Sequence, residues 1–453
     1  MRSAIACENA SQRMGGEAAI PLRFFRNFRE LGHECVLLTH ARVREELLAT
    51  FTEGELRDVV FFEDSRVQEL IWRLGRRLPT LIEDNFGFGS ISLLTQRHQR
   101  KALAEMAAQN GLDVVFVPTP ISPKAMSFLD APGVATFFGP LNGGMSYPPG
   151  LDHRSSSGLT EKILSAGRLL SEALHAGLGA KRKATGLFVS NPRTLRSLPR
   201  ATRGVAKFAS FDATIDSDVW GAIDRAEPED AGHFIYVGRL IAWKGVDYAI
   251  AAANRLGGRA RLTVVGDGPD RSRLEALAEA GTARVDFAGH LTHAELLEIY
   301  PSVGAQVMPS VREAGANVCM EALASAVPVI ATAWGGAVDV VLDGVDGFLV
   351  EPTSEDDLIS GIAESMMRFI DDPGLSRRMG DQGRARVLEA YSWRLKARDY
   401  VAIFEQSARW ESGKPWDPQR VLPAHPSHLT DGRTASAVWK DFELVEPPPG
   451  SRT

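Results

Sequence analysis

The sequence predicts an α/β fold made of two parallel-sheet domains, and three observations predict it. Short apolar runs alternate with longer amphipathic segments along most of the chain, the rhythm of strand–helix–strand units. The runs fall into two sets of six. Between the sets, residues 211–230 are polar and rich in turn formers, as a connection between domains is. Two such sets mean two Rossmann-like domains facing each other, with a hinge near 211–230 that lets them close.

The first set of strands is expected at residues 3–7, 34–39, 58–62, 113–117, 134–138 and 187–190, most of them rich in β-branched or aromatic residues. Gly15 and Gly16 lie between the first strand and the first helix, where glycine permits a tight turn and close approach to a phosphate. An ordinary strand-to-helix turn is the alternative. In that helix Ile20, Phe24, Phe28 and Leu31 recur at helical spacing, which is a core stripe. Arg23, Phe25 and Arg26 occupy another face. With Lys181, Arg182 and Lys183 they could meet an anionic lipid surface; a solvated face is the competing reading. Asn142, Gly143 and Gly144 follow the fifth strand in a loop that should line the cleft.

The second set of strands is expected at 234–237, 262–265, 285–288, 305–308, 329–331 and 348–350. Helices should follow at about 354–370 and 374–390, then another over 393–410. Residues 411–453 hold many Pro, Ser and Gly without periodicity, so a largely disordered tail is expected. The division is therefore 1–212, 213–392, a helical segment 393–410, and the tail 411–453.

Composition narrows the class. Of 453 residues 44% are apolar and 24% charged, ordinary for a soluble globular protein. No apolar run approaches the length of a membrane span, and the first residues lack the apolar core of a secretory signal. Cys7, Cys35 and Cys319 are widely separated, without metal-ligand spacing. They read as buried, reduced thiols of a cytoplasmic protein. Residues 1–225 carry 28 Lys and Arg against 24 Asp and Glu, a net of +4, and the remainder carries 23 against 33, a net of −10. A positive first half suits an anionic acceptor or membrane surface. No nucleic-acid partner is expected.

The chemistry concentrates in residues 312–352. Glu313 and Glu321 stand eight residues apart, roughly 12 Å if the span is helical. That suits the two ends of a nucleotide-sugar, with a helix N-terminus facing the diphosphate between them. Gly315, Ala316, Asn317 and Val318 open that helix, and its first N–H groups have no intrahelical partner. Two solvated glutamates are the plain alternative. Upstream, Arg239 and Lys244 follow the first strand of the second domain, placed to offset charge on a departing phosphate. Gly266 follows the next strand.

Residues 312–352 resemble the retaining glycosyltransferases of family four, which have the GT-B fold. The match rests on Glu313, Glu321, Ala322, Ala324, Pro328, Val329, Gly335, Gly336, Asp343, Gly344 and Gly347. Residues 234–246, with Gly238, Arg239, Lys244 and Gly245, and residues 262–269, with Gly266 and Gly268, resemble two further motifs. The resemblance implies α/β GT-B architecture, two facing Rossmann-like domains with a deep interdomain cleft. It also implies that the last helix, 393–410, returns to the first domain. Arg239 and Lys244 would hold the donor diphosphate, Glu313 the donor sugar and Glu321 the ribose. Gly15 and Gly16 would meet the donor phosphate across the cleft. Two departures stand out. AlaGlyAla follows Glu313 where the family has Gly-Phe-Gly, and Phe138 occupies the place of the family's cleft histidine. Asn142 or the backbone of Gly143 and Gly144 is the candidate replacement; the alternative is that the histidine is dispensable in this branch.

The expected function is metal-independent, retaining transfer of a hexose-type sugar from a nucleotide diphosphate sugar to a saccharide or lipid-linked acceptor. Exopolysaccharide or envelope glycan synthesis is the expected setting. No cofactor is expected beyond the donor. The expected location is cytoplasmic, where the first domain could make peripheral contact with the inner face of an anionic membrane. A sugar-nucleotide epimerase or a silent nucleotide-sugar-binding protein of the same fold is the alternative. A dinucleotide oxidoreductase is disfavoured because Gly266 and Gly268 lack the third glycine. A metal-dependent transferase built on Asp216 and Asp218 is disfavoured because the pair lies in the connection. A glycosidase would leave the diphosphate motifs unexplained.

Overall fold

The computed structural model describes residues 1–68, 88–109, 111–154, 172–210, 214–221 and 230–410. The principal helices are α1 (Gly16–Glu30), α2 (Val246–Leu256), α3 (Asn317–Ala324), α4 (Glu355–Asp371), α5 (Pro373–Ala390) and α6 (Trp393–Trp410). The chain divides into two compact units. Among described residues, the first holds 1–144, 172–210 and 393–410, and the second holds 145–154, 214–221 and 230–392.

The first unit is a parallel sheet of β1 (Arg2–Ala6), β2 (Glu34–His40), β3 (Val59–Phe62), β4 (Val114–Val117), β5 (Ala135–Leu141), β6 (Gly186–Val189) and β7 (Ala206–Ala209). Its order is β3-β2-β1-β4-β5-β6-β7, with the reversal between β1 and β4 where doubly wound sheets bind ligands. The sequence reading has the first six strands and misses β7. That strand has four residues, includes Lys207, and lies at the sheet edge.

Aromatic rings fill this core. Phe24 and Phe28 of α1, Phe116, Phe188, Tyr400 and Phe404 are all fully buried. Phe188 stacks on Tyr400 with centroids 3.6 Å apart, and Phe116 meets Phe24 edge-on at 4.9 Å. Tyr400 and Phe404 project from one face of α6 because they stand four residues apart. Helix α6 is thus part of the first unit.

Two parts of the expected lipid-facing surface are internal. Phe25 is fully buried and stacks parallel on Phe51 at 5.6 Å. Arg26 bonds Glu55 and the Thr50 carbonyl, each at 3.0 Å. Lys181 is also buried, 1% exposed. Its ammonium donates to the carbonyls of Ser122, Pro123 and Ala125 at 3.1, 3.1 and 2.9 Å. Three donors meet three acceptors, which lets a cation sit inside the protein.

The second unit is a parallel sheet of β8 (His233–Val237), β9 (Arg261–Val265), β10 (Arg284–Gly289), β11 (Ala305–Met308), β12 (Val329–Thr332) and β13 (Gly347–Val350). Its order is β10-β9-β8-β11-β12-β13, reversing between β8 and β11. Helix α2 packs on α4. Arg386 of α5 reaches the fully buried Asp346 through Nε at 2.8 Å and bonds the Val340 carbonyl at 2.6 Å, tying α5 to the β12–β13 connection.

Residues 145–154, expected in the first domain, belong with the second unit. Leu151 has no exposed surface and lies in the second core, and burying it is what places the segment there. The expected tail 411–453 and most of the expected hinge 211–230 lie outside the described residues. Among the described residues no helix is long and apolar enough to cross a membrane. Cys7, Cys35 and Cys319 are buried and free.

Candidate functional site

Loops leaving the C-terminal ends of β8, β9 and β11 build the site of the second unit. The β8 and β9 loops are joined backbone to backbone. Gly238 N–H donates to Val265 O at 3.0 Å and Leu240 N–H to Asp267 O at 2.9 Å. Gly266 has φ +125, and a Cβ there would lie 1.9 Å from the Gly238 carbonyl oxygen; only glycine fits. Arg239 projects exposed from this junction, while its carbonyl accepts from the Tyr236 hydroxyl at 3.0 Å. Among the described residues no carboxylate pairs with its guanidinium.

Lys244 ends the turn before α2. The Trp243 carbonyl accepts from Val311 N–H at 3.0 Å, which fixes that turn to the β11 loop. The Lys244 ammonium then forms an ion pair with the Glu313 carboxylate, their side chains 21% and 14% exposed. The other Glu313 oxygen accepts from Ala314 N–H at 3.2 Å. Gly336 N–H holds the Glu313 carbonyl at 2.9 Å. A Cβ on Gly335 would lie 2.6 Å from that carbonyl. The 335–336 turn is therefore seated on Glu313. The structure thus brings Lys244 and Glu313 together, and Arg239 leaves the same end of β8 as Lys244.

Gly315 and Ala316 lead into α3. Ala316 is left-handed, φ 50 and ψ 39, a conformation usually left to glycine. Asn317 and Val318 form the first turn, where N–H groups lack intrahelical acceptors. Glu321, one turn further, is half-buried. Desolvation pushes its carboxyl up to about 7, and among the described residues nothing bonds to it.

In the first unit, Gly15 (φ +95) and Gly16 are exposed at the start of α1. Asn142 is buried, and its amide oxygen accepts from Asn191 Nδ2 and Thr194 Oγ1, both at 3.3 Å. Gly143 N–H donates to Thr194 Oγ1 at 3.0 Å, and Gly144 has φ +74. Phe138 is 1% exposed within β5, so an enclosed ring stands where the resembled family has its histidine. Sequence reasoning missed the buried Lys181 and its companion His175, whose Nε2 lies 3.1 Å from the Lys124 carbonyl. The two grip four consecutive carbonyls, 122–125, in the loop after β4. A lysine within LysArgLys gave no signal of burial.

Residues 223–386 match the family model of glycosyl transferases group 1. A glycogen synthase of Mycobacterium tuberculosis is 29% identical over 233 residues, covering 50% of this chain and 54% of that protein. An alpha-D-kanosaminyltransferase of Streptomyces kanamyceticus is 29% identical over 243 residues, covering 50% and 62%. The chain thus spans about half the length of the relatives it matches. A solved sucrose-phosphate synthase of Thermosynechococcus elongatus aligns with TM-score 0.60 at 16% identity, covering 90% of this chain and 99% of that one. This chain therefore has the GT-B fold, and its second unit is similar to glycosyl transferases group 1.

Proposed function

We propose that the chain is a metal-independent, retaining glycosyltransferase moving a hexose-type sugar from a nucleotide diphosphate sugar to a saccharide or lipid-linked acceptor. Exopolysaccharide or envelope glycan synthesis is the setting. The observation that carries the reading is the Lys244–Glu313 pair beneath the Gly335–Gly336 turn, at the β8–β11 reversal, where open parallel sheets bind ligands. Arg239 and Lys244 offset the charge that grows on the departing diphosphate, more in the transition state than before it. Backbone N–H groups of Gly315–Val318 add to that offset. Glu313 accepts from sugar hydroxyls and Glu321 from the ribose diol. Gly15, Gly16 and Gly266 bring bare backbone to phosphate. Of the loop Asn142, Gly143 and Gly144 the exposed Gly144 faces the acceptor, while Asn142 and Gly143 are buried and shape the loop through Asn191 and Thr194. The names of the relatives support sugar transfer.

The proposed location is cytoplasmic, at the inner face of a membrane. Contact with anionic lipid then falls to Arg182 and Lys183, whose turn packs against Arg200–Thr202. All of Arg182, Lys183, Arg200 and Arg203 are exposed, and among the described residues none of their side chains pairs with a carboxylate, although the Arg200 backbone N–H donates to Glu172 at 3.0 Å. One observation favours a second reading, an epimerase or a silent nucleotide-sugar-binding protein: the enclosed Phe138.

A panel of UDP-, GDP- and ADP-sugars, read by thermal shift and by donor hydrolysis in EDTA, tests both. One base should raise the melting temperature and yield nucleoside diphosphate despite the chelator. Binding without release supports the second reading. Turnover lost in EDTA and restored by Mg or Mn rejects metal independence.

A further inference from the structure

Residues 145–151 form a strap within the second unit, held at several points. The Trp334 indole N–H donates to the Ser146 carbonyl at 2.8 Å. The Arg312 guanidinium lies 6.0 Å from the centre of the Tyr147 ring. Leu151 is buried in the core, and a Cβ on Gly150 would lie 1.9 Å from the Thr353 carbonyl oxygen. Between these anchors Pro148 and Pro149 have fixed φ and no N–H to join a ladder. The strap is stiff, so its anchors set its position.

Two anchors are chain neighbours of the candidate site. Arg312 immediately precedes Glu313, and Trp334 immediately precedes Gly335. Gly336 N–H closes the clasp on the Glu313 carbonyl at 2.9 Å. A ligand that fixes Glu313 and the glycine turn therefore fixes both residues that hold the strap. We infer that residues 145–151 are a positioning strap for the donor site, held by Trp334 and Arg312 and tightened when the sugar of a nucleotide diphosphate sugar engages Glu313 at the Glu313–Gly336 clasp. This rests on the donor-binding reading above.

The test is amide hydrogen exchange of the full chain with and without a UDP-, GDP- or ADP-sugar, whichever calorimetry shows to bind. Exchange of the Ser146, Tyr147 and Leu151 amides should slow about fivefold or more with the nucleotide-sugar, the lower end of ordinary coupling between sites. Trp334→Phe keeps a ring and removes the N–H donor. It should bind the nucleotide-sugar within about twofold of the parent yet lose the donor-dependent slowing at Ser146 and Tyr147. Tyr147→Leu, which removes the ring facing Arg312, should reduce the slowing too. A purely structural anchor would leave exchange equal with and without the nucleotide-sugar, and that result overturns the inference. So does slowing retained in both variants. If none of the three nucleotide-sugars binds, the donor reading falls and the strap's role with it; binding with unchanged exchange removes the strap's role alone.

Discussion

The two units share a topology and differ in what stands at their strand ends. Both sheets are parallel and both reverse order beside their first strand. At the second unit's reversal stand a cation and a carboxylate, Lys244 and Glu313, with exposed Arg239 close by in sequence. At the first unit's reversal the loop after β4 has four carbonyls gripped by Lys181 and His175, and the nearby Asn142 amide oxygen is taken by Asn191 and Thr194. One unit offers side-chain charge, and the other offers backbone shape. Charge that must sit at one place leaves a motif. Backbone shape can be reached by many sequences, and the family match accordingly lies within 223–386.

Removing the charged member breaks this comparison most severely. Glu313→Ala should lower turnover by about 1,000-fold or more while the protein stays folded, because it deletes a sugar contact and strands Lys244. Arg239→Ala and Lys244→Ala should each cost about 2–4 kcal/mol of transition-state stabilisation, roughly 30- to 1,000-fold, falling more on kcat than on KM. The Lys244–Glu313 and Arg239–Lys244 double variants should fall short of the additive sums. Steady-state kinetics at saturating donor, with a melting curve for each variant, decides. A retained kcat in the single variants would return these residues to an ordinary surface role.

The same contrast explains what was legible in the sequence. The strands β1 to β6 and β8 to β13 announce themselves as apolar runs, whereas β7 shows only AlaLysPheAla at a sheet edge. Glu313 and Lys244 were legible as motif members, but their pairing spans 69 residues and is set by the sheet. Residues 145–151 looked like a continuation of the first-unit loop, because nothing in SerTyrProProGlyLeu says which core will bury Leu151. Lys181 looked like a surface charge, because its acceptors are backbone carbonyls with no side-chain signature.

Buried charge sharpens the comparison next. Asp346→Ala strands the mostly buried Arg386 and should destabilise the chain by about 3–5 kcal/mol. Lys181→Met leaves three carbonyls without their donor but also removes a buried charge, so about 1–3 kcal/mol is expected. The two differ in pH response as well. Burial lowers Lys181 from 10.5 to about 7. Between those values the unfolded chain binds a proton that the folded chain does not, so Lys181 makes parental stability rise with pH across the window. Urea melts from pH 6 to 9 should show a rise that Lys181→Met reduces. Equal slopes in the two proteins would mean that Lys181 does not titrate there.

Glu321 predicts a smaller effect, on binding. A ribose diol donates two hydrogen bonds, and an ionised carboxylate accepts both. Burial pushes Glu321 up to about 7, so nucleoside diphosphate affinity should rise with pH towards 7 and level off above it. The steepest dependence one proton allows is about tenfold per pH unit. Glu321→Gln should bind more weakly above pH 7 and lose this part of the slope. The phosphate's own titration is common to both proteins and cancels in their ratio. Parallel calorimetric profiles for parent and variant would remove the ribose role. The sign for stability is opposite: a raised carboxyl holds its proton longer in the folded state, so Glu321's contribution is lost as pH rises from 4.5 through 7.

The smallest effect belongs to Ala316, where the second unit departs from the glycine pattern of the family it resembles. Its φ of 50 costs an alanine about 1–2 kcal/mol relative to a right-handed residue, a cost glycine does not incur. Glycine, however, gives the unfolded chain more freedom, worth about 0.4–1 kcal/mol. It also forfeits the packing of one buried methyl, since Ala316 is 3% exposed. These terms nearly cancel, so Ala316→Gly should leave stability within about 1 kcal/mol of the parent. Guanidinium melts measure it. A loss beyond 1 kcal/mol would show that the residue is not held left-handed and that α3 is entered differently. If stability holds while nucleotide affinity falls, the alanine's stiffness positions the first turn of α3, and the departure from glycine is part of how this site is built.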